Sequence, residues 1–216
     1  MTGLMMKDAL VMRKTLRLYA LFLLFYSGLA VLGVFPMSMA LAMVEVIVMV
    51  LPISSFSYDE AAKWDRYAAV LPVGRTAVVK ARYLFLLLVL LAAAAIGLVG
   101  SILASLLARE DLGELLDTLL VSMGLGLMIA DIMLPVVYQL GPERARPWMY
   151  VIIFAPIVVL LGGAKLGLFD GIDLSWLDQL PELAVLGVFA LVPLVPLVGM
   201  LLSCWISCRI YARKEF

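Results

Sequence analysis

The chain has 216 residues, 65% of them hydrophobic and 15% charged, with sixteen basic and sixteen acidic side chains and no histidine. A mean hydropathy of +1.13 excludes an ordinary soluble domain and marks an integral membrane protein. The missing histidine removes serine–histidine dyads, most zinc sites and histidine-ligated haem.

Residues 1–16 predict an interfacial helix, with Met5, Ala9, Met12 and Leu16 on one face and Lys7, Arg13, Lys14 and Arg17 largely opposite. They do not read as a cleavable signal, because the apolar run that follows is too long and no small-residue site closes it. Six runs long enough to cross about 30 Å of hydrocarbon follow. They cover Arg17 to Phe35, Met37 to Ser55, Tyr83 to Leu107, Leu119 to Leu140, Met149 to Leu166 and Leu183 to Trp205. The expected fold is an all-α, polytopic bundle forming one transmembrane domain over 1–216, with no room for a soluble catalytic domain. Pro36 separates the first two runs, and the alternative is five spans with one long kinked helix.

Glu45 in the second span is one of two ionisable side chains predicted inside the bilayer; Asp131 in the fourth is the other. Each costs roughly 2.5 to 3.5 kcal/mol if unpaired. They read either as a polar lining or substrate contact, or as groups neutralised by protonation or hydrogen bonding. Met37, Met39, Met43 and Met49 in span two are adaptable filler or a surface accepting several partners.

The longest polar interruption, SYDEAAKWDRYAAVLPVGRTAVVKARYL from Ser57 to Leu84, lies between spans two and three. Ser57 followed by Glu60 reads as a capping box, with Asp59 beside the positive end of the helix dipole. A short helix is predicted from Ser57 through Lys63, Trp64, Asp65, Arg66 and Tyr67, ending before Pro72 and Gly74. Asp59 and Lys63 form an i,i+4 pair within it. The whole segment, 57–82, is expected on the cytoplasmic surface, either as a docking element or as a plain interfacial helix anchored by Trp64 and Tyr67.

The second inner loop, Gln139 to Trp148, is shorter and offers Glu143, Arg144 and Arg146 as a further cytoplasmic contact. The outer segment Leu168 to Glu182 mixes Phe169, Trp176 and Leu177 with four acids, and is expected at the outer leaflet. Cys204 and Cys208 lie one turn apart near the inner end of span six, where a disulfide is not expected.

Charge placement orients the bundle. With the amino terminus inside, cytoplasmic segments hold fourteen of the sixteen basic residues, leaving only Arg109 and Lys165 outside among eight acids. Both termini are therefore predicted to be cytoplasmic.

The Ser57–Leu84 run resembles the segment after the second span of type-2 ABC transporter permeases, particularly a small six-span group. The matching features are the acidic pair Asp59–Glu60, Trp64–Asp65, and Leu71–Pro72–Val73 followed by Arg75. Permeases that export phenol-soluble modulins, bacteriocins or antibiotics belong to this group. The resemblance implies a coupling helix, formed by Ser57, Tyr58, Asp59, Glu60, Lys63, Trp64, Asp65, Arg66, Tyr67, Pro72 and Arg75, that docks into a separate ATPase subunit in the bacterial plasma membrane.

Energetics point the same way. The chain has no GxxxxGK[ST] loop and no charged intramembrane relay, so it binds no cofactor itself and transport needs an outside source of free energy. An ATPase dimer holding ATP and magnesium, paired with two copies of this chain, satisfies that need. No nucleic-acid partner is expected. The competing readings are a non-transporting scaffold or sensor and an energy-independent facilitator.

Overall fold

The computed structural model describes residues 2–70, 74–166 and 182–213. In hydrocarbon each backbone N–H and C=O must be satisfied internally, and every described element is a helix. In chain order these are α1 (Thr2–Val11), α2 (Arg13–Val31), α3 (Met37–Ala61), α4 (Trp64–Val70), α5 (Arg75–Leu107), α6 (Leu112–Leu140), α7 (Pro142–Lys165) and α8 (Glu182–Ala212). Among the described residues, α2, α3, α5, α6, α7 and α8 are long and apolar enough to cross a membrane.

Pro36 decides between six spans and five. It stands in extended conformation as the N-cap of α3, while Gly33, at φ +75°, closes α2. The Val34 amide reaches back to Leu29 O and the Gly33 amide to Ala30 O, so the last carbonyls of α2 are satisfied before the chain turns. The α3 amide of Met37 donates to the Glu110 carboxylate at 3.2 and 3.3 Å, so the far α5–α6 connection caps this helix.

Four helices start several residues earlier than the hydropathy pattern suggests, α2 at Arg13, α5 at Arg75, α6 at Leu112 and α7 at Pro142, and local capping accounts for the last two. Asp111 is the N-cap of α6, accepting from the Glu114 amide at 3.4 Å, which places the start at Leu112 instead of Leu119. The Gln139–Trp148 loop contracts to Gly141 alone, at φ +82°, because Pro142 takes the first position of α7, where its missing N–H costs nothing.

Helix α6 is central, touching α3, α5, α7 and α8, and its most extensive seams are with α8 and α3. Gly126 permits the second of these. A Cβ there would stand 3.2 Å from Val48 Cβ and 3.3 Å from the backbone Cα of Glu45. Both described chain ends lie at one end of the bundle, since α1 reaches the end of α3 and Arg75 Nη1 donates to Ala212 O at 3.0 Å. The segment expected at the outer leaflet, Leu168 to Glu182, lies outside the described residues except for Glu182, as do residues 71–73 and 214–216.

Gly126→Leu must push α3 off α6 by main-chain movement, at a cost of about 1–3 kcal/mol. Thermal unfolding in detergent is expected to show a lower midpoint for Gly126→Leu than for Gly28→Leu, where a Cβ meets nothing within 4 Å.

Candidate functional site

The predicted capping box does not form. Ser57 lies inside α3, and its hydroxyl donates to Ile53 O at 2.9 Å, one turn back, instead of accepting from an amide ahead. Helix α3 continues past the span to Ala61 and then breaks. Lys63 takes φ +50°, a left-handed conformation that costs a residue with a Cβ roughly 1–2 kcal/mol, and its amide donates to Glu60 O at 3.0 Å. The surface helix α4 therefore begins at Trp64 and has seven residues.

The extension of α3 carries Asp59 into the bundle, where it meets Lys7 of α1 and Arg82 of α5. Lys7 Nζ lies 2.8 Å from Asp59 Oδ1 and 2.7 Å from Asp8 Oδ1. Arg82 Nη2 is paired with Asp59 Oδ2 and lies 3.4 Å from Asp8 Oδ1. Two carboxylates and two cations thus close a ring in which each charge has two opposite neighbours. Arg82 is 4% exposed, Asp8 5% and Asp59 9%. The predicted Asp59–Lys63 pair is replaced by this ring, and Arg82, read as part of a cytoplasmic segment, is a core residue.

Aromatic rings complete the site. The Arg82 guanidinium stacks over Phe56 at 4.5 Å, and Lys7 Nζ lies 4.3 Å from the centre of the Trp64 ring. Phe56 packs edge-on against Tyr138 of α6 at 4.6 Å, and Tyr138 against Tyr211 of α8 at 5.6 Å. One contiguous contact chain therefore runs from α1 and α4 through the ring to α5, α3, α6 and α8.

The remaining site candidates sort by exposure. Glu60, Lys63, Arg66 and Tyr67 are exposed around the break and on α4, whereas Trp64 turns inward and packs on the core. Tyr58 shares a 2.8 Å hydrogen bond with Thr15 of α2. Arg75 is exposed and fastened to the end of α8. For Asp65 only the backbone is described, and Pro72 lies outside the described residues. Glu143, Arg144 and Arg146 are exposed on the first turns of α7 at this same end, while Ala145 between them is buried.

Glu45 and Asp131 are not brought together with the ring. Glu45 sits partly buried on α3, where its backbone faces Gly126. Asp131 lies at the seam of α6 and α8; its carbonyl accepts from Ser203 Oγ at 2.5 Å, and its Oδ2 would stand 3.1 Å from a Cβ on Gly199. Cys204 and Cys208 are free thiols.

Sequence reasoning passed over Asp8 and Lys7 as site residues. Asp8 is the only acid before Glu45, and a single carboxylate within an apolar, basic stretch is a signal that it has a buried cationic partner.

These features define a multi-pass membrane protein whose short surface helix is braced from inside by buried charge. The ABC-2 family transporter protein model matches residues 3–212, and the chain belongs to that family. It is accordingly the membrane permease component of an ABC transporter, which works with an ATPase component. No curated protein and no solved structure matches the chain.

Removing one member of a buried ion network strands its partner, at about 3–5 kcal/mol. Asp59→Ala is expected to lower the unfolding midpoint strongly, and adding Arg82→Met to restore part of the loss. A double-mutant cycle on thermal unfolding in detergent tests this, and strictly additive effects would show that the two charges are not coupled.

Proposed function

We propose that this chain is the membrane subunit of a bacterial plasma-membrane exporter, probed from the cytosol by a separate ATPase that docks on the α3–α4 break and on α4. Both termini face the cytoplasm in this reading. Two copies of the chain form the pathway, and two ATPase subunits supply ATP and magnesium chemistry. The observation that carries the reading is the charge ring: it anchors the surface element to α1, α3 and α5, so a push on α4 is borne by three helices instead of being absorbed by a loose loop.

The exposed residues Glu60, Lys63, Arg66 and Tyr67 form the docking face, with Glu143, Arg144 and Arg146 as a second contact. Trp64 acts from below as the anchor that sets the angle of α4. The cargo is amphipathic peptide or lipophilic antimicrobial compound. Hydrophilic ions and sugars would have to shed water without compensation in a bundle that places only Glu45 and Asp131 as candidate charges along its membrane-spanning interior. Glu45 and Asp131 are the polar contacts of that pathway.

Reconstitution with the cognate ATPase separates these roles. Tyr67→Ala and Arg66→Glu are expected to weaken ATPase association by tenfold or more, the size of an interface hot spot of about 2 kcal/mol, while leaving the fold intact. Asp59→Asn is expected to leave association in place and reduce transport-linked hydrolysis. Hydrolysis and export that ignore all three substitutions would reject the docking assignment and favour a scaffold. Unchanged export by Glu45→Gln would remove that carboxylate from the pathway.

A further inference from the structure

A groove of about 500 Å³ runs between α5 and α8 at the end of the bundle that carries the charge ring. Its walls are Leu84 and Leu87 on one side and Leu197, Leu201 and Cys204 on the other, and Lys80 is the one charged residue that lines it. Leu84 is 50% and Leu201 73% exposed, so the groove opens sideways, in the direction that membrane hydrocarbon occupies. Its back is closed: Tyr83 Oη is held by Ser203 at 2.7 Å and Ser207 at 2.8 Å, and presents no free hydroxyl.

Lys80 stands at the depth of the interface. It lies five residues, about 8 Å, beyond the first residue of α5, and the uninterrupted apolar run begins three residues later at Tyr83. Its side chain is exposed and makes no ion pair among the described residues. Asp8 and Asp59, the buried acids at this end of the bundle, are already occupied by Lys7 and Arg82. Arg209, stacked on the exposed Trp205 at 3.7 Å, adds positive charge to the same end of α8. An apolar slot under a cation at an aromatic-lined interface has the chemistry of a phospholipid site, and basic pockets between membrane helices select anionic headgroups.

We propose that the α5–α8 groove binds one anionic phospholipid, its headgroup phosphate paired with Lys80 and an acyl chain laid along Leu84, Leu87, Leu197 and Leu201. A zwitterionic lipid would bring its own ammonium or choline beside Lys80 and bind less well. This assignment stands on the groove and its charge, and is independent of the transport reading.

The full chain in detergent micelles, titrated with phosphatidylglycerol or phosphatidylcholine and weighed by native mass spectrometry, tests it. Phosphatidylglycerol is expected to be retained in preference. Lys80→Glu should weaken its retention at least about fivefold, the effect of losing one surface cation before the added repulsion, and Lys80→Arg should preserve it. Leu201→Trp, which fills the slot without altering charge, should also displace the lipid, and excess inorganic phosphate should not. Equal retention of the two lipids, indifference to Lys80→Glu, or displacement by inorganic phosphate would each overturn the proposal. So would a covalent dimer formed through Cys204 by a short bis-maleimide in a Cys208→Ser background, which would show a second copy seated in the groove.

Discussion

Four buried charges hold one end of this molecule together. A buried carboxylate or guanidinium alone would cost several kcal/mol of desolvation, and Lys7, Asp8, Asp59 and Arg82 avoid that cost only as a closed set. Because the four come from α1, α3 and α5, the requirement that they meet fixes where each of those helices ends. It also explains why α3 runs six residues beyond Ser55, the last residue of its hydrophobic stretch, to Ala61: Asp59 must reach inward before the chain turns out.

The same constraint shapes the surface helix. Lys63 adopts a left-handed conformation that glycine would take more easily, and immediately afterwards Trp64 tucks under Lys7. The strain at Lys63 is offset by the contacts on either side of it. Helix α4 is thus a short helix whose inner surface belongs to the core and whose outer surface carries Arg66 and Tyr67. Away from this end, the bundle depends on close backbone approach instead of charge. Gly126 admits α3 to α6, Gly199 faces Asp131, and Glu110 crosses from the α5–α6 connection to cap α3. Helices in a membrane gain little from burying apolar surface against one another, so small residues and interhelical hydrogen bonds such as Tyr83 to Ser203 and Ser207 carry the specificity.

The surface exposed by the bundle falls into two kinds. Long faces of α2, α5 and α7, with side chains such as Leu21, Leu106 and Val159 largely uncovered, suit a hydrocarbon environment. The exposed charged residues instead gather at the two ends, with Arg13, Lys14, Arg66 and Arg144 at one and Arg109, Asp111, Glu114 and Lys165 at the other. That separation is what a protein needs if one partner is the bilayer and the other is aqueous.

Hydropathy alone determined the class and the approximate places of the spans, because a helix must present some twenty apolar residues to hydrocarbon whatever it packs against, while the break at Gly33–Pro36 separated the first two. The repeated acidic, tryptophan and proline features of the Ser57–Leu84 run were enough to suggest the family. Local motifs were less secure. Ser57–Glu60 and Asp111–Glu114 both carry an acceptor followed three residues on by Glu, yet only the second caps a helix. The difference is that Ser57 is already within a helix whose preceding carbonyls compete for its hydroxyl, whereas Asp111 stands in extended conformation after α5 has ended. Only the tertiary structure decided that Asp59 pairs with Lys7 and Arg82 instead of its near neighbour Lys63. Residues 52 and 23 positions apart come into contact only when three helices are packed, and the low dielectric there makes that meeting worth more than a solvated pair on one helix.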